Sequence, residues 1–167
     1  MTDRDGTTLT WTSDNKPAQI SAAGHTRQFS YAPSRARFRQ VATEGGQSTE
    51  TLYIAGGLYE RVSGPHGTEH RHYIVAAGET VAVHLRRSDY NHETRYLHAD
   101  HLGSVAAITD ESGGLLARLS FDAFGARRGG DWSADPPSGA DEQVIASTTA
   151  RGYTFHEMLD GIDLIHW

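Results

Sequence analysis

Five aromatic residues, Trp11, Tyr31, Tyr53, Tyr73 and Tyr96, recur along the 167-residue chain at spacings of 20, 22, 20 and 23, each inside a short run of β-favouring residues. A repeat of this length has few architectural solutions. Two strands of about six residues plus two connections come to about twenty residues, so one period fits a two-stranded hairpin unit. A helical repeat would need apolar residues at i, i+3 and i+4, a pattern these runs lack. The clearest copies are Tyr53-Ile54-Ala55-Gly56-Gly57 and Tyr73-Ile74-Val75-Ala76-Ala77-Gly78, with a looser one at Tyr96-Leu97-His98-Ala99-Asp100. Second β-type runs follow at 58–62, 79–85 and 104–109.

The strongest single hairpin signal lies at 105–121, where Val105-Ala106-Ala107-Ile108-Thr109 and the run 115–121 flank the polar loop Asp110-Glu111-Ser112-Gly113-Gly114. Leu115, Ala117, Leu119 and Phe121 alternate with Leu116, Arg118 and Ser120, which predicts one packed face and one wet face. A second turn is read at 100–104. There Asp100 is expected to accept hydrogen bonds from the amides that follow it, and Gly103 to hold a backbone conformation other residues resist. Asp110 and Gly113 have the same assignment in the next turn. Between 129 and 150 the composition shifts to Gly, Pro, Ser, Ala and Thr, which reads as a loop. Beyond it, Met158, Leu159, Ile162 and Ile165 fall at spacings that predict a short helix or turn-rich segment. The organisation is thus 1–128 hairpins, 129–150 loop and 151–167 closing segment, with helix confined mainly to the last.

Hydrophobic residues make up 37% of the chain and the mean hydropathy is -0.53, so much of each strand must face water or a polar cavity. The formal net charge is -6, and the 15 Lys and Arg residues are spread from Arg4 to Arg151 with no basic stripe, which argues against nucleic acid. Cysteine is absent, excluding disulfides and thiolate metal sites. Met1-Thr2-Asp3-Arg4-Asp5-Gly6 lacks the apolar core of a secretory signal, and no apolar run is long enough to cross a bilayer. Export, if it occurs, is expected inside a larger polypeptide or on a dedicated machine.

Several constellations bear on chemistry. His98, Asp100 and His101, with His70 and His72, offer nitrogen and carboxylate ligands for a zinc-like ion, but no local third ligand stands in firm register, so no metal and no cofactor is expected. Asp110 with Asp122, or Asp160 with Asp163, are candidate acid–base pairs. Asp110 heads a turn, however, and Asp160 and Asp163 stand where a helix cap is equally served. Neither a Gly-x-Ser-x-Gly elbow nor a phosphate loop is present. The chain is therefore expected not to be an enzyme. Trp11, Tyr31, Tyr53, Tyr73, Tyr96 and Phe121 are expected to pack between neighbouring strands, sugar stacking being the alternative.

The stretch Arg95-Tyr96-Leu97-His98-Ala99-Asp100-His101-Leu102-Gly103-Ser104-Val105, continuing through Ile108-Thr109-Asp110 and Gly113 to Phe121-Asp122-Ala123-Phe124-Gly125, resembles the Rhs-associated core at the end of a YD-repeat shell. Arg151-Gly152-Tyr153-Thr154-Phe155-His156-Glu157-Met158-Leu159-Asp160, followed by Leu164-Ile165-His166, looks like the next block of that core. Proteins of this family wind hairpins into a hollow β-shell around a C-terminal toxin, and teneurins use a related shell for adhesion. The resemblance implies an all-β fold of repeated antiparallel hairpins, part of such a shell or solenoid, with a short helical or turn-rich C-terminal segment. It implies a non-catalytic structural segment that encapsulates and helps deliver a toxin. Its partners would be flanking Rhs repeats, the enclosed toxin polypeptide and secretion machinery, with a cytoplasmic stay before export or secretion within a larger toxin. The alternative is a β-rich recognition module binding a protein or glycan at a cell surface. Two departures stand out. Position 155 is Phe where the family pattern has Gly, so an altered turn is expected there. The sequence also begins and ends within the pattern, and the family's Asn-Gly-Arg and Tyr-Asp-Pro block is expected to follow it.

Overall fold

The computed structural model describes residues 2–4, 6–162 and 164–166. It is all-β apart from one α-helix and two single 3-10 turns, and it divides into two units, Met1–His70 with Arg87–Tyr90 and Arg71–Arg86 with Asn91–Trp167.

The first unit contains β1 (Thr2–Arg4), β2 (Thr7–Trp11), β3 (Pro17–Ala22), β4 (His25–Tyr31), β5 (Arg37–Glu44), β6 (Gln47–Ile54), β7 (Tyr59–Gly64) and the opening of β8 (Gly67–Ala76). From β1 to β7 each strand pairs antiparallel with the next, so strand order is chain order. Two kinds of turn alternate. Ala23-Gly24 and Gly45-Gly46 are two-residue turns with both residues at positive φ, between 50° and 81°, the mirror-image type that matches strand twist. At 12–16 and 32–36 the loops are longer. In each, the first amide donates to the fifth carbonyl and the fourth amide to the first carbonyl, with Asn15 or Arg35 left-handed at the fourth place. Just past these loops the register skips one residue, Ala18 on β3 and Phe38 on β5, as a β-bulge does. The loop head moves from 12 to 32, and that step is the physical origin of the twenty-residue period.

Polar side chains share the buried face of this unit: Arg27, Gln40 and Glu60 lie buried beside Ile20 and Phe29. The low apolar content thus reflects a buried face that is partly polar. The skip at Phe38 lets Arg37 lie 4.5 Å above the Tyr53 ring and 5.6 Å from the Phe29 ring while donating to Gln40 Oε1 at 3.2 Å.

The second unit continues β8 and adds β9 (Glu79–Arg87), β10 (His92–Ala99), β11 (Val105–Thr109) and β12 (Leu115–Arg118), again in chain order. β13 (Ser120–Phe121) pairs with β14 (Arg127–Arg128), α1 spans Gly139–Ala146, and β15 (Glu157–Leu159) pairs with β16 (Leu164–His166). Its core is a conventional one, built from Tyr73, Val83, Leu85, Leu97, Val105, Ile108, Ala117, Leu119 and, from α1, Ile145. Burying a Val, Leu or Ile side chain of this kind stabilises by roughly 1.5–3 kcal/mol.

Three expectations change here. The helix lies at 139–146, inside the segment read as a loop, while 151–166 forms a 3-10 turn at Tyr153–Phe155 and the β15–β16 hairpin. Ser138 Oγ caps α1 by accepting from the Asp141 amide at 3.2 Å, and Asp141 and Glu142 occupy the favoured first turn. The run 115–121 is also broken: β12 ends at Arg118 and β13 joins another ladder. Leu115 is consequently 53% exposed, because the register skips Leu116 and reverses the expected face. Gly130 closes on the last residue of β12, since a Cβ there would lie 2.8 Å from the Arg118 carbonyl oxygen, leaving room for glycine alone.

Two sheet arginines hold the C-terminal end of α1. Arg71 donates to the Ala146 carbonyl at 2.8 Å, and Arg95 Nη1 donates to the Val144 carbonyl, Ser147 Oγ and Thr148 Oγ1 at 3.2, 3.0 and 2.5 Å. Both positive charges meet the negative end of the helix dipole. Arg95→Ala is expected to cost about 2–3 kcal/mol, since bonds to a charged donor run roughly 1.5–3 kcal/mol. Urea unfolding reads this as a lower midpoint, and a loss under about 0.5 kcal/mol would remove the clamp from the account.

Candidate functional site

Asp100, Gly103, Asp110 and Gly113 lie in two five-residue turns, 100–104 and 110–114. Asp100 Oδ1 accepts from the Leu102 and Ser104 amides, both at 2.8 Å, and Gly103 sits at φ 81°. Asp110 Oδ1 accepts from the Ser112 and Gly114 amides at 2.8 and 2.7 Å and from Ser112 Oγ at 2.6 Å, with Gly113 at φ 83°. Both loops share the backbone closure seen at 12–16 and 32–36. A third copy, 122–126, was missed as a turn. Asp122 Oδ1 accepts from the Phe124 and Ala126 amides at 2.7 and 2.9 Å, and Gly125 stands at φ 86°. Its signal was in the sequence, since Asp-x-x-Gly recurs at 100, 110 and 122.

The turn at 152–156 repeats this closure without glycine at its fourth place. The Gly152 amide donates to the His156 carbonyl at 2.9 Å and the Phe155 amide to the Gly152 carbonyl at 3.1 Å, while Phe155 takes φ 61°. The closure is kept but the turn is altered as expected, because Thr154 at φ 48° is left-handed as well as Phe155, where the other loops have one such residue. A non-glycine residue there costs strain. In return the ring lies edge-on to Tyr73 at 6.3 Å and beneath the Arg151 guanidinium at 5.1 Å.

The repeat aromatics do not form one surface. In the first unit Tyr31 donates its hydroxyl to the Pro17 carbonyl at 2.9 Å, Tyr53 lies under Arg37, and Trp11 is 45% exposed. In the second, Tyr73 is buried with its hydroxyl 2.9 Å from Thr149 Oγ1, Phe121 packs on Tyr153 at 5.8 Å, and Tyr96 is 43% exposed. Periodic spacing reports strand position. It does not report which face a bulge leaves the ring on.

Three of the candidate carboxylates, Asp110, Asp122 and Asp160, have structural partners. Asp110 and Asp122 each spend Oδ1 on their own turn, and Asp160 accepts from Arg127 Nε at 3.2 Å. Asp163 lies outside the described residues. Among the histidines, His98 Nε2 is 3.0 Å from Thr109 Oγ1, His70 Nδ1 is 2.6 Å from the Tyr59 hydroxyl, and His101 is exposed in its turn. His72 stands on β8 beside His84, with ring centres 6.5 Å apart. Among the described residues no three ligating side chains converge on one point. A cavity of about 500 Å³ opens in the second unit between α1 and the β15–β16 hairpin, walled by Pro137, Ile145, Met158, Leu164 and the Arg127–Asp160 pair.

Against known proteins, the sequence matches no protein-family model and no curated protein. The fold does have solved counterparts. A crystal structure of TcdB2-TccC3-TEV matches at a TM-score of 0.77 and 15% identity over 98% of this chain. One of TcdB2-TccC3 matches at 0.75 and 14% over the same 98%, and one of TcdB2-TccC3-Cdc42 at 0.70 and 15% over 91%. The chain spans 8% of the length of each of those chains. At this identity the likeness is one of fold.

Two outcomes test the turns. Gly103→Val is expected to cost about 1–3 kcal/mol through left-handed strain and Asp100→Ala about 1–2 kcal/mol through lost amide bonds. His98→Ala should cost less than either in thermal unfolding. Acid provides the second. Ser112 Oγ, then the Gly114 amide, hold the Asp110 carboxyl below its usual value, and the Ala126 and Phe124 amides do the same for Asp122. A carboxyl lowered in the folded state stabilises above its unfolded value of about 3.9, and that contribution is lost as pH falls through the depressed value. Asp110→Asn and Asp122→Asn should flatten the loss of thermal stability below about pH 4 relative to the parent chain.

Proposed function

We propose that this chain is a non-catalytic wall segment of an Rhs/YD-repeat shell, part of a container that encloses a toxin polypeptide and assists its delivery. The observation that carries this reading is the fold likeness to TcdB2-TccC3 assemblies over 98% of the chain. The ordered string from Arg95 to Gly125, which resembles the Rhs-associated core, supports it independently. A strand order equal to chain order, with short turns at both ends of each strand, suits a wall extended by adding hairpins. A face carrying buried Arg27, Gln40 and Glu60 suits a wall with a wet inner side better than a dry two-layer sandwich.

In this role the partners are flanking repeats and the enclosed polypeptide. Of the carboxylates that invite a catalytic reading, Asp110 and Asp122 are occupied as turn heads and Asp160 in the Arg127 pair. The purified chain is therefore expected neither to cut itself nor to hydrolyse peptide or glycosidic substrates. Intact mass followed over days at mild acid and neutral pH checks the first half, and a discrete internal fragment would refute it. Electron microscopy of the native polypeptide that carries this sequence tests the wall itself. The expected image is a hollow shell with these hairpins in its side, and a separate solid module would overturn the proposal.

A further inference from the structure

The face of the second unit opposite α1 carries a row of histidines that no sequence spacing announces. His72 on β8, His84 on β9 and His92 on β10 stand on successive strands, with ring centres 6.5 Å apart from the first to the second and 5.9 Å from the second to the third. His84 is opposite Thr94 in the β9–β10 register, and its Nδ1 lies 3.1 Å from Thr94 Oγ1. With Nδ1–H donated to that hydroxyl, the ring is oriented and the Nε2 lone pair is free to ligate, the outer-shell arrangement that prepares an imidazole for metal. His72 and His92 are exposed and His84 is half-buried, so an ion could reach all three from solvent.

We propose that His84 and His92 form a two-imidazole site for a divalent transition metal ion of the zinc, nickel or copper class. A ligating imidazole nitrogen lies about 2.0–2.1 Å from the metal, which puts the ring centre about 3.2 Å away, so two rings on one ion have centres about 5.2 Å apart at a tetrahedral angle and at most about 6.4 Å apart. The His84–His92 separation of 5.9 Å falls within that limit. The His72–His84 separation of 6.5 Å lies beyond it, so His72 stands outside the site. Imidazole suits zinc, copper and nickel, whereas magnesium and calcium need oxygen ligands that this row does not supply. The ion would clip β9 to β10 and stabilise the folded state by mass action.

The test is titration of the whole chain with zinc chloride, and separately with nickel chloride, in a chelator-free, non-coordinating buffer at neutral pH, read by calorimetry and thermal unfolding. One equivalent is expected to bind and to raise the unfolding temperature, and EDTA should reverse the rise. His84→Ala and His92→Ala are each expected to weaken binding by about tenfold or more. His98→Ala serves as the comparison, because His98 is already engaged with Thr109 and should leave the affinity within about twofold. His92 is exposed, so its variant tests the site even if His84→Ala fails to fold. Three results would each overturn the site: no binding by the parent chain, parental binding by folded His92→Ala, or an equal loss in His98→Ala.

Discussion

Closing a hairpin in five residues requires the fourth of them to adopt a left-handed backbone, and most of this structure depends on that one requirement being met repeatedly. Glycine meets it at Gly103, Gly113 and Gly125, and Asn15, Arg35 and Phe155 meet it elsewhere. Left-handed geometry costs a non-glycine residue free energy, so Asn15 and Arg35 are held by the ladders that flank them, and Phe155 by its contacts with Tyr73 and Arg151. The Asp or Thr at the head of four of these loops acts in concert, accepting from amides that have no strand partner. Once the loop is closed, the register is set. The skipped residue that follows then decides which side chains share a face, as Arg37 and Gln40 do.

The two units use this device toward different ends. In the first, the shared face is polar, and buried Arg27 is held by the half-exposed Glu44 of the neighbouring strand. In the second, the hairpins present a continuous apolar face to α1, and the polar work is concentrated in Arg71 and Arg95 at the helix end. A wall segment with both kinds of surface is consistent with the proposed role, and with a chain of low mean hydropathy that still folds around a dry core in part.

What could be read from the sequence was what local chemistry encodes. Strand period, hairpin ends and the Asp-headed turns follow from residues within five positions of one another. Features resting on distant pairs were not legible: the arginine clamp joins Arg95 to residues near 147, and the histidine row depends on the register of three strands. The helix was misplaced for a different reason. Gly, Ala and Ser dominate 138–147 and blur its periodicity, and only the Ser138 cap with Asp141 and Glu142 marks its start. The exposed Leu115 shows the limit of counting alternation, because one skipped residue exchanges inside for outside.

The clamp also imposes an order on synthesis. Each ladder of the first unit finds its partner in the strand made immediately afterwards, so pairing there can keep pace with an emerging chain. Arg71 has no such neighbour for its helix contact, because the carbonyl it holds belongs to a residue 75 positions later. Until Ala146 leaves the ribosome, that contact is unmade and the apolar face of β8 to β12 lacks its helical cover. The second unit therefore locks in one late step, and an interruption of synthesis between those two residues would release a sheet whose core is still open to water.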